Sequence, residues 1–104
     1  MRTLLLGLLL LGTATGIAGE PARVWVVSDP DAVRGLATDA ARVRRMVSAG
    51  LVKLAGAAND AAAWQALGVT GQDVVGIKIS TQAGPLQVSR PSVVAALAAS
   101  LRAA

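Results

Sequence analysis

The 104-residue sequence lacks cysteine, histidine, tyrosine and phenylalanine, and its only aromatic residues are two tryptophans. Without cysteine the chain has no disulfide, no thiolate metal site, no iron–sulfur cluster and no cysteine nucleophile. Without histidine it lacks the commonest metal ligand and the usual general base. We therefore expect neither a metal ion nor a cofactor, and the residues leave open whether the chain is an enzyme.

The charge of the sequence is mildly basic, with a net value of +4 that includes Arg2 near the N-terminus. The densest basic group is residues 42–45, which read as the solvated face of a helix or, less favourably, as a phosphate-binding patch. Trp25 and Trp64 are not interleaved with the basic residues, so single-stranded bases have no stacking platform. We expect no nucleic-acid partner.

The N-terminus has the pattern of a cleavable signal peptide over residues 1–19. A short basic start precedes the apolar run at residues 4–11, and small residues follow up to Glu20. The run is shorter than the roughly 20 residues that cross a bilayer. With neither an arginine pair nor a lipid-accepting cysteine, the general secretory machinery and signal peptidase are the expected partners.

We therefore predict cleavage within residues 16–20 and a periplasmic or secreted protein. Two other interpretations remain open at this point: a membrane anchor that keeps an uncleaved N-terminus, and an apolar helix packed into the core.

The remaining chain, residues 20–104, reads as alternating strands and helices. Residues 22–28 and 73–80 are β-branched and nearly all apolar, which predicts two buried strands. Apolar residues at helical spacing predict a helix over 38–55, ended by Gly56. Asn59 predicts the start of a second helix over 60–67, in which Trp64 is interpreted as a core anchor rather than a ligand-stacking residue. A loop and a third helix over 91–102 follow, with Ser89 as its cap and Pro91 in its first turn. The apolar residues predicted to form the buried stripe of this helix are Val93, Val94, Leu97, Ala98 and Leu101.

This order predicts the α/β class, as an incomplete βααβα segment of a parallel, helix-covered sheet preceded by the signal-peptide helix. Two strands are too few to form such a sheet on their own. The sequence also runs to Ala104 without a helix terminator. We therefore expect the N-terminal part of a larger domain.

Four stretches of the chain carry a resemblance to a known family, namely residues 43–51, 63–67, 73–79 and 89–94. In that order and spacing they resemble the N-terminal portion of the domain-of-unknown-function family 362, in its exported form, over residues 22–104. It implies an α/β fold that continues beyond this portion, and it assigns no activity. Some family members carry iron–sulfur modules, of which nothing is present here, and Ser80 stands where the family usually has asparagine.

Lys78 is the residue whose chemistry stands out, because a lysine in an apolar strand must reach solvent or find a partner. It lies near the end of strand 74–80, close in sequence to the start of helix 91–102, whose free N–H groups can bind an anion. The predicted anion site therefore comprises Lys78, Ser80, Thr81, Ser89 and Arg90. No Gly-rich phosphate loop accompanies it.

Three alternatives to this site stay open. Lys78 can reach solvent from an edge strand or pair with Asp73 or Asp29, and Ser89 can act only as a helix cap. Asp29 and Asp31 offer a second, poorer candidate, a cation site made of two carboxylates.

Two functional hypotheses follow from the sequence. The first is an exported domain that binds a small anionic ligand, with any catalytic residues lying mainly in a C-terminal continuation. The second is a truncated, non-enzymatic remnant without independent activity. The sequence does not predict an oligomeric state or identify the ligand.

Overall fold

The computed structural model describes residues 19–82, 84 and 87–104, in which three helices pack together beside one small hairpin. In chain order the elements are β1 (Val33–Arg34), β2 (Ala37–Thr38), α1 (Ala40–Ala55), α2 (Asp60–Ala66) and α3 (Pro91–Arg102). The predicted signal peptide, except for Gly19, lies outside the described residues. No helix in those ranges is long and apolar enough to cross a membrane.

Helix α1 has a capping residue at each end, which satisfies backbone N–H groups at its start and carbonyl groups at its end. The Asp39 carboxylate accepts a hydrogen bond from the Arg42 N–H at 3.0 Å, so the helix begins two residues after the predicted Thr38. Gly56 ends it with φ 62°, a left-handed conformation that glycine adopts without steric cost. The predicted terminator is confirmed.

Helices α2 and α3 begin in different ways. The Asn59 side chain accepts the Ala62 N–H at 2.9 Å, which confirms the predicted cap of α2. Pro91 occupies the first turn of α3 as predicted, but the N-cap is Arg90, whose side chain makes no capping hydrogen bond. The predicted capping role of Ser89 is therefore wrong, because its hydroxyl is used elsewhere.

The hairpin of β1 and β2 was not predicted. Its two-residue turn begins with Gly35 at φ 60°, and Val33 pairs with Thr38 in an antiparallel register. The Asp39 N–H donates to the Ala32 carbonyl at 2.9 Å, and Ala32 is buried. The hairpin thereby holds the residues before it against the start of α1.

The predicted parallel, helix-covered sheet is wrong. Residues 22–28, named here the N-terminal apolar segment, and residues 73–80, named the central apolar segment, form no strand ladder within the described part of the chain. The sheet that is present is the two-stranded antiparallel hairpin. The physical reason is that β-propensity selects a conformation, whereas a strand also requires a neighbour to accept its hydrogen bonds.

The core lies where the three helices meet, and its most buried members are small. Ala63 and Ala96 are buried, together with Val43 and Leu51 of α1. Small side chains allow helix axes to approach closely, so alanine takes the central positions that the sequence pattern assigned to larger residues. On α3 the predicted stripe is only partly covered: Val93 is exposed, whereas Ser100 is buried.

Candidate functional site

The structure brings together Ser80 and Ser89, two of the five residues predicted to bind an anion. The Ser80 N–H donates to the Ser89 hydroxyl at 2.9 Å, and the Ser89 N–H donates to the Ser80 carbonyl at 3.0 Å. These two bonds close the loop between the central apolar segment and α3. They fix the end of the segment beside the first turn of that helix.

Lys78, Thr81 and Arg90 are exposed, and no hydrogen bond or ion pair joins them to the two serines in the described ranges. Arg90 stands at the N-cap of α3 itself. The two serines are therefore joined by hydrogen bonds, whereas Lys78, Thr81 and Arg90 are only their neighbours in the sequence. We call these five residues the helix-start corner.

The acidic partners suggested for Lys78 are occupied elsewhere. The Asp73 carboxylate accepts the Thr70 N–H at 2.7 Å and the Thr70 hydroxyl at 2.9 Å. Asp29 forms an ion pair with Arg42 at 3.0 Å. None of the ion pairs within the described part of the chain includes Lys78 or Arg90.

Ser92, in the first turn of α3, adds an observation that the sequence did not suggest. Its hydroxyl oxygen is buried and has no hydrogen-bond partner in the described structure. A buried polar group without a partner is unfavourable by about 1–3 kcal/mol. The first turn of α3 therefore carries an unsatisfied hydroxyl as well as an uncapped N-terminus.

The predicted cation site at Asp29 and Asp31 is instead an ion-pair cluster around Arg42. The Arg42 guanidinium lies 3.0 Å from Asp29, 3.9 Å from Asp31 and 3.7 Å from Asp39. No group of three metal-ligating side chains occurs in the parts of the chain described here. Arg42 is thus held by ion pairs while its side chain is 35% exposed, and Arg44 and Arg45 are the more exposed arginines of the basic group 42–45.

Two carboxyl groups titrate below their ordinary range. A hydrogen bond from the Asp31 N–H lowers the pKa of Asp29, and the Arg42 guanidinium lowers it further. The Thr70 N–H and hydroxyl lower the pKa of Asp73. In return, Asp29 raises the pKa of Arg42. Asp29 and Asp73 therefore stay ionised to a lower pH than an unperturbed aspartate does.

A second polar cluster, centred on Asp60, joins all three helices. The Asp60 carboxylate accepts hydrogen bonds from the hydroxyls of Ser48 on α1 and Ser100 on α3, the latter at 2.6 Å. The Trp64 indole N–H donates to the Ser100 oxygen at 2.9 Å. These hydrogen bonds connect α1, α2 and α3 and hold the three helices in register.

Sequence reasoning missed the Asp60 cluster because each member has a common local explanation. Asp60 is an acidic residue in a first helical turn, which is favourable at any helix start. Ser92, Ala96 and Ser100 follow one another at intervals of four on α3, so they share one helix face. That row of small polar and apolar residues was the available signal for a close helix contact.

An apolar groove of about 410 Å³ lies beside the N-terminal apolar segment. Its lining includes Trp25, Leu54, Trp64, Leu67 and Leu97, which come from that segment and from or next to each helix. Trp64 is therefore partly a wall of this groove rather than a fully enclosed core anchor. The Lys53 ammonium lies 5.7 Å from the centroid of the Trp25 ring, within the range of a cation–π contact.

A cleft of about 380 Å³ lies between the central apolar segment and α3, lined by Asp73, Val75, Ile77 and Arg102 among others. It runs toward the C-terminal end of α3, whereas the helix-start corner lies at its N-terminal end. The cleft is thus separate from the predicted anion site.

No family model, curated protein or solved structure matches this chain. The resemblance to family 362 stays a prediction.

Proposed function

We propose that this chain is an exported protein that binds a small anionic ligand at the helix-start corner. One observation carries the proposal: the paired hydrogen bonds between Ser80 and Ser89 hold the end of the central apolar segment against the uncapped start of α3. Within the described residues the first turn of α3 leaves the Ser92 N–H without a backbone acceptor, and this N–H together with the helix dipole favours negative charge there.

The charges around this corner support the same ligand class. Lys78 and Arg90 both carry a positive charge, and neither has an ion-pair partner in the described ranges. Arg90 can donate two parallel hydrogen bonds to a phosphate or a carboxylate, whereas Lys78 contributes a point charge.

The exposure of these side chains limits the expected affinity. Water competes for both cations, so we expect a dissociation constant near 1 mM for inorganic phosphate, which corresponds to about −4 kcal/mol. Binding should weaken as ionic strength rises, because exposed charges are screened by salt.

The experiment is a titration of the full chain with inorganic phosphate, observed through backbone amide shifts in ¹⁵N NMR spectra at constant ionic strength. We expect the largest shifts at Ser89, Arg90 and Ser92. Lys78→Ala and Arg90→Ala should each weaken binding several-fold. Arg102→Ala, at the opposite end of α3, is the matched control and should leave binding unchanged.

Two outcomes would refute the anion site. One is an equal loss of affinity in Arg102→Ala and Arg90→Ala, which would indicate binding by net charge alone. The other is the appearance of the largest shifts around Arg44 and Arg45, which would place the anion on α1.

Export is tested separately by expressing the full chain in a bacterium and determining the mass of the recovered protein. We expect a mature N-terminus within residues 16–20 in the extracytoplasmic fraction. Recovery of an intact Met1 form in the membrane fraction would replace the secreted protein with an anchored one.

A further inference from the structure

The N-terminal apolar segment has the surface of a strand without a neighbour. Val24 and Val26 are 81% and 84% exposed, whereas Trp25 and Val27 are 49% and 36% exposed. This alternation with a period of two is that of an extended chain with one face on the protein and the other in solvent. No backbone hydrogen bond of residues 20–28 occurs within the described structure.

The half-covered face of the segment rests on α1. The Val27 Cγ2 lies 3.6 Å from the position that a Cβ on Gly50 would take, and the Trp25 ring lies under the Lys53 ammonium. The helices thereby hold the segment in place. The backbone N–H and carbonyl groups of the segment form no hydrogen bonds to other described residues and lie along its edge. Such an edge is a template for pairing with another strand.

The sequence of the segment is complementary to itself when it is read in the antiparallel direction. With Val26 opposite the Val26 of a second copy, Arg23 faces Asp29 at both ends and Trp25 faces Val27 on both sides of the centre. Cross-strand pairs of opposite charge and pairs of an aromatic with a β-branched residue are both stabilising. A parallel pair would instead place Arg23 beside Arg23 and Asp29 beside Asp29.

The charges needed for this register are present. Arg23 takes part in none of the ion pairs within the described ranges. Asp29 already pairs with Arg42 and accepts the Asp31 N–H, so the Arg23 of a second copy would share this carboxylate with Arg42.

We infer that two copies of this chain associate through residues 23–29, paired antiparallel with Val26 on the two-fold axis. A two-fold axis perpendicular to the paired strands gives both copies the same contact, as in most homodimers. It also turns the Trp25 and Val27 faces of both strands toward the helix layers.

The area available makes this a weak, concentration-dependent dimer. Pairing of one seven-residue strand with its copy buries less than the roughly 800 Å² per partner that a stable complex buries. Backbone hydrogen bonds between the two strands supply the remaining specificity.

The absence of cysteine from the sequence permits a position-specific test by disulfide formation. In full-length Val26→Cys the two thiols lie opposite each other, at a Cα separation of about 4.5–5.5 Å that a disulfide spans. Val24→Cys is the matched control, since Val24 is equally exposed but would lie about 13 Å from its own copy. Val24→Cys mixed with Ser28→Cys should again form a crosslinked dimer, because those positions face each other.

We expect oxidised Val26→Cys to run mainly as a crosslinked dimer on a non-reducing gel, and Val24→Cys alone to remain monomeric. Equal crosslinking of the two variants, or none in either, would overturn the proposed pairing.

Sedimentation equilibrium of the cysteine-free chain tests the charge pairing. Arg23→Glu should weaken association about tenfold, because it places two carboxylates opposite each other at both ends of the pair. Arg34→Glu, which changes another exposed arginine, should leave association unchanged. Equal effects of the two substitutions, or a wild-type chain that is monomeric at all concentrations, would contradict the dimer.

Discussion

Replacing Asp60 with alanine removes the group that joins the three helices. The carboxylate accepts a hydroxyl from Ser48 and another from Ser100, and the latter serine in turn receives the Trp64 indole N–H. In Asp60→Ala both hydroxyls lose their acceptor. Ser100 is buried, so water replaces its lost hydrogen bond poorly.

The expected cost follows from the number of bonds and their burial. A buried hydrogen bond to a charged group contributes about 1.5–3 kcal/mol, and partial exposure of Asp60 reduces this to about 1 kcal/mol for each of the two bonds. Loss of an acidic residue from the first turn of α2 adds about 0.5 kcal/mol. We therefore expect Asp60→Ala to lower the free energy of unfolding by about 2–3 kcal/mol.

The assay is urea unfolding followed by tryptophan fluorescence and far-ultraviolet circular dichroism. With a typical slope for a small domain, the loss lowers the midpoint by about 1–2 M urea. Asp60→Asn keeps one acceptor oxygen and should lose about half as much stability. Asp31→Ala is the control, because its carboxylate is half-exposed and forms only long ion pairs of 3.4 and 3.9 Å, so its loss should cost less than about 1 kcal/mol.

A midpoint for Asp60→Ala that equals that of Asp31→Ala would refute this reasoning. It would mean that the Asp60 hydrogen bonds are no stronger than those the residue makes with water in the unfolded chain.

Two further predictions concern glycine and acid. Gly50→Ala should raise the free energy of unfolding by about 0.5–1 kcal/mol, since the added methyl meets only Val27 at 3.6 Å, whereas Gly56→Ala should lower it by about 1 kcal/mol because φ is 62° there. Urea midpoints that shift in the same direction in both variants would contradict the conformational explanation. The lowered pKa of Asp29 and Asp73 stabilises the fold fully above their ordinary value of 3.8, and that stabilisation is lost as the pH falls below it through the folded-state pKa. Midpoints measured from pH 5 to pH 2 should therefore decline less steeply in Asp29→Asn than in the unaltered chain, and parallel declines would exclude this role of Asp29.

The sequence by itself determined the helices. Apolar spacing placed α1 and α3, and local chemistry set their limits at Gly56, Asn59 and Pro91. These signals succeed because a helix satisfies its hydrogen bonds within one stretch of chain, and because a cap acts on a residue only a few positions away.

For the candidate site, the sequence placed Ser80 and Ser89 in one corner without showing how they meet. The contact could not be predicted because a loop separates the two residues in the sequence. The Ser80 N–H donates to the Ser89 hydroxyl, the group that the sequence assigned to capping α3. The unsatisfied Ser92 hydroxyl depends on burial by neighbouring elements, which no local pattern reports.

Only the tertiary structure determined whether the apolar segments pair as strands and which ion pairs the charged residues form. Residues 22–28 and 73–80 have strand composition, yet a strand needs a partner at another place in the chain or in another molecule. Arg42 likewise belongs to a basic run in the sequence, but the hairpin of β1 and β2 brings Asp29 and Asp31 to it. Pairing and burial depend on residues that are distant in sequence, whereas helix formation does not, and this difference separates what the sequence determined from what it left to the fold.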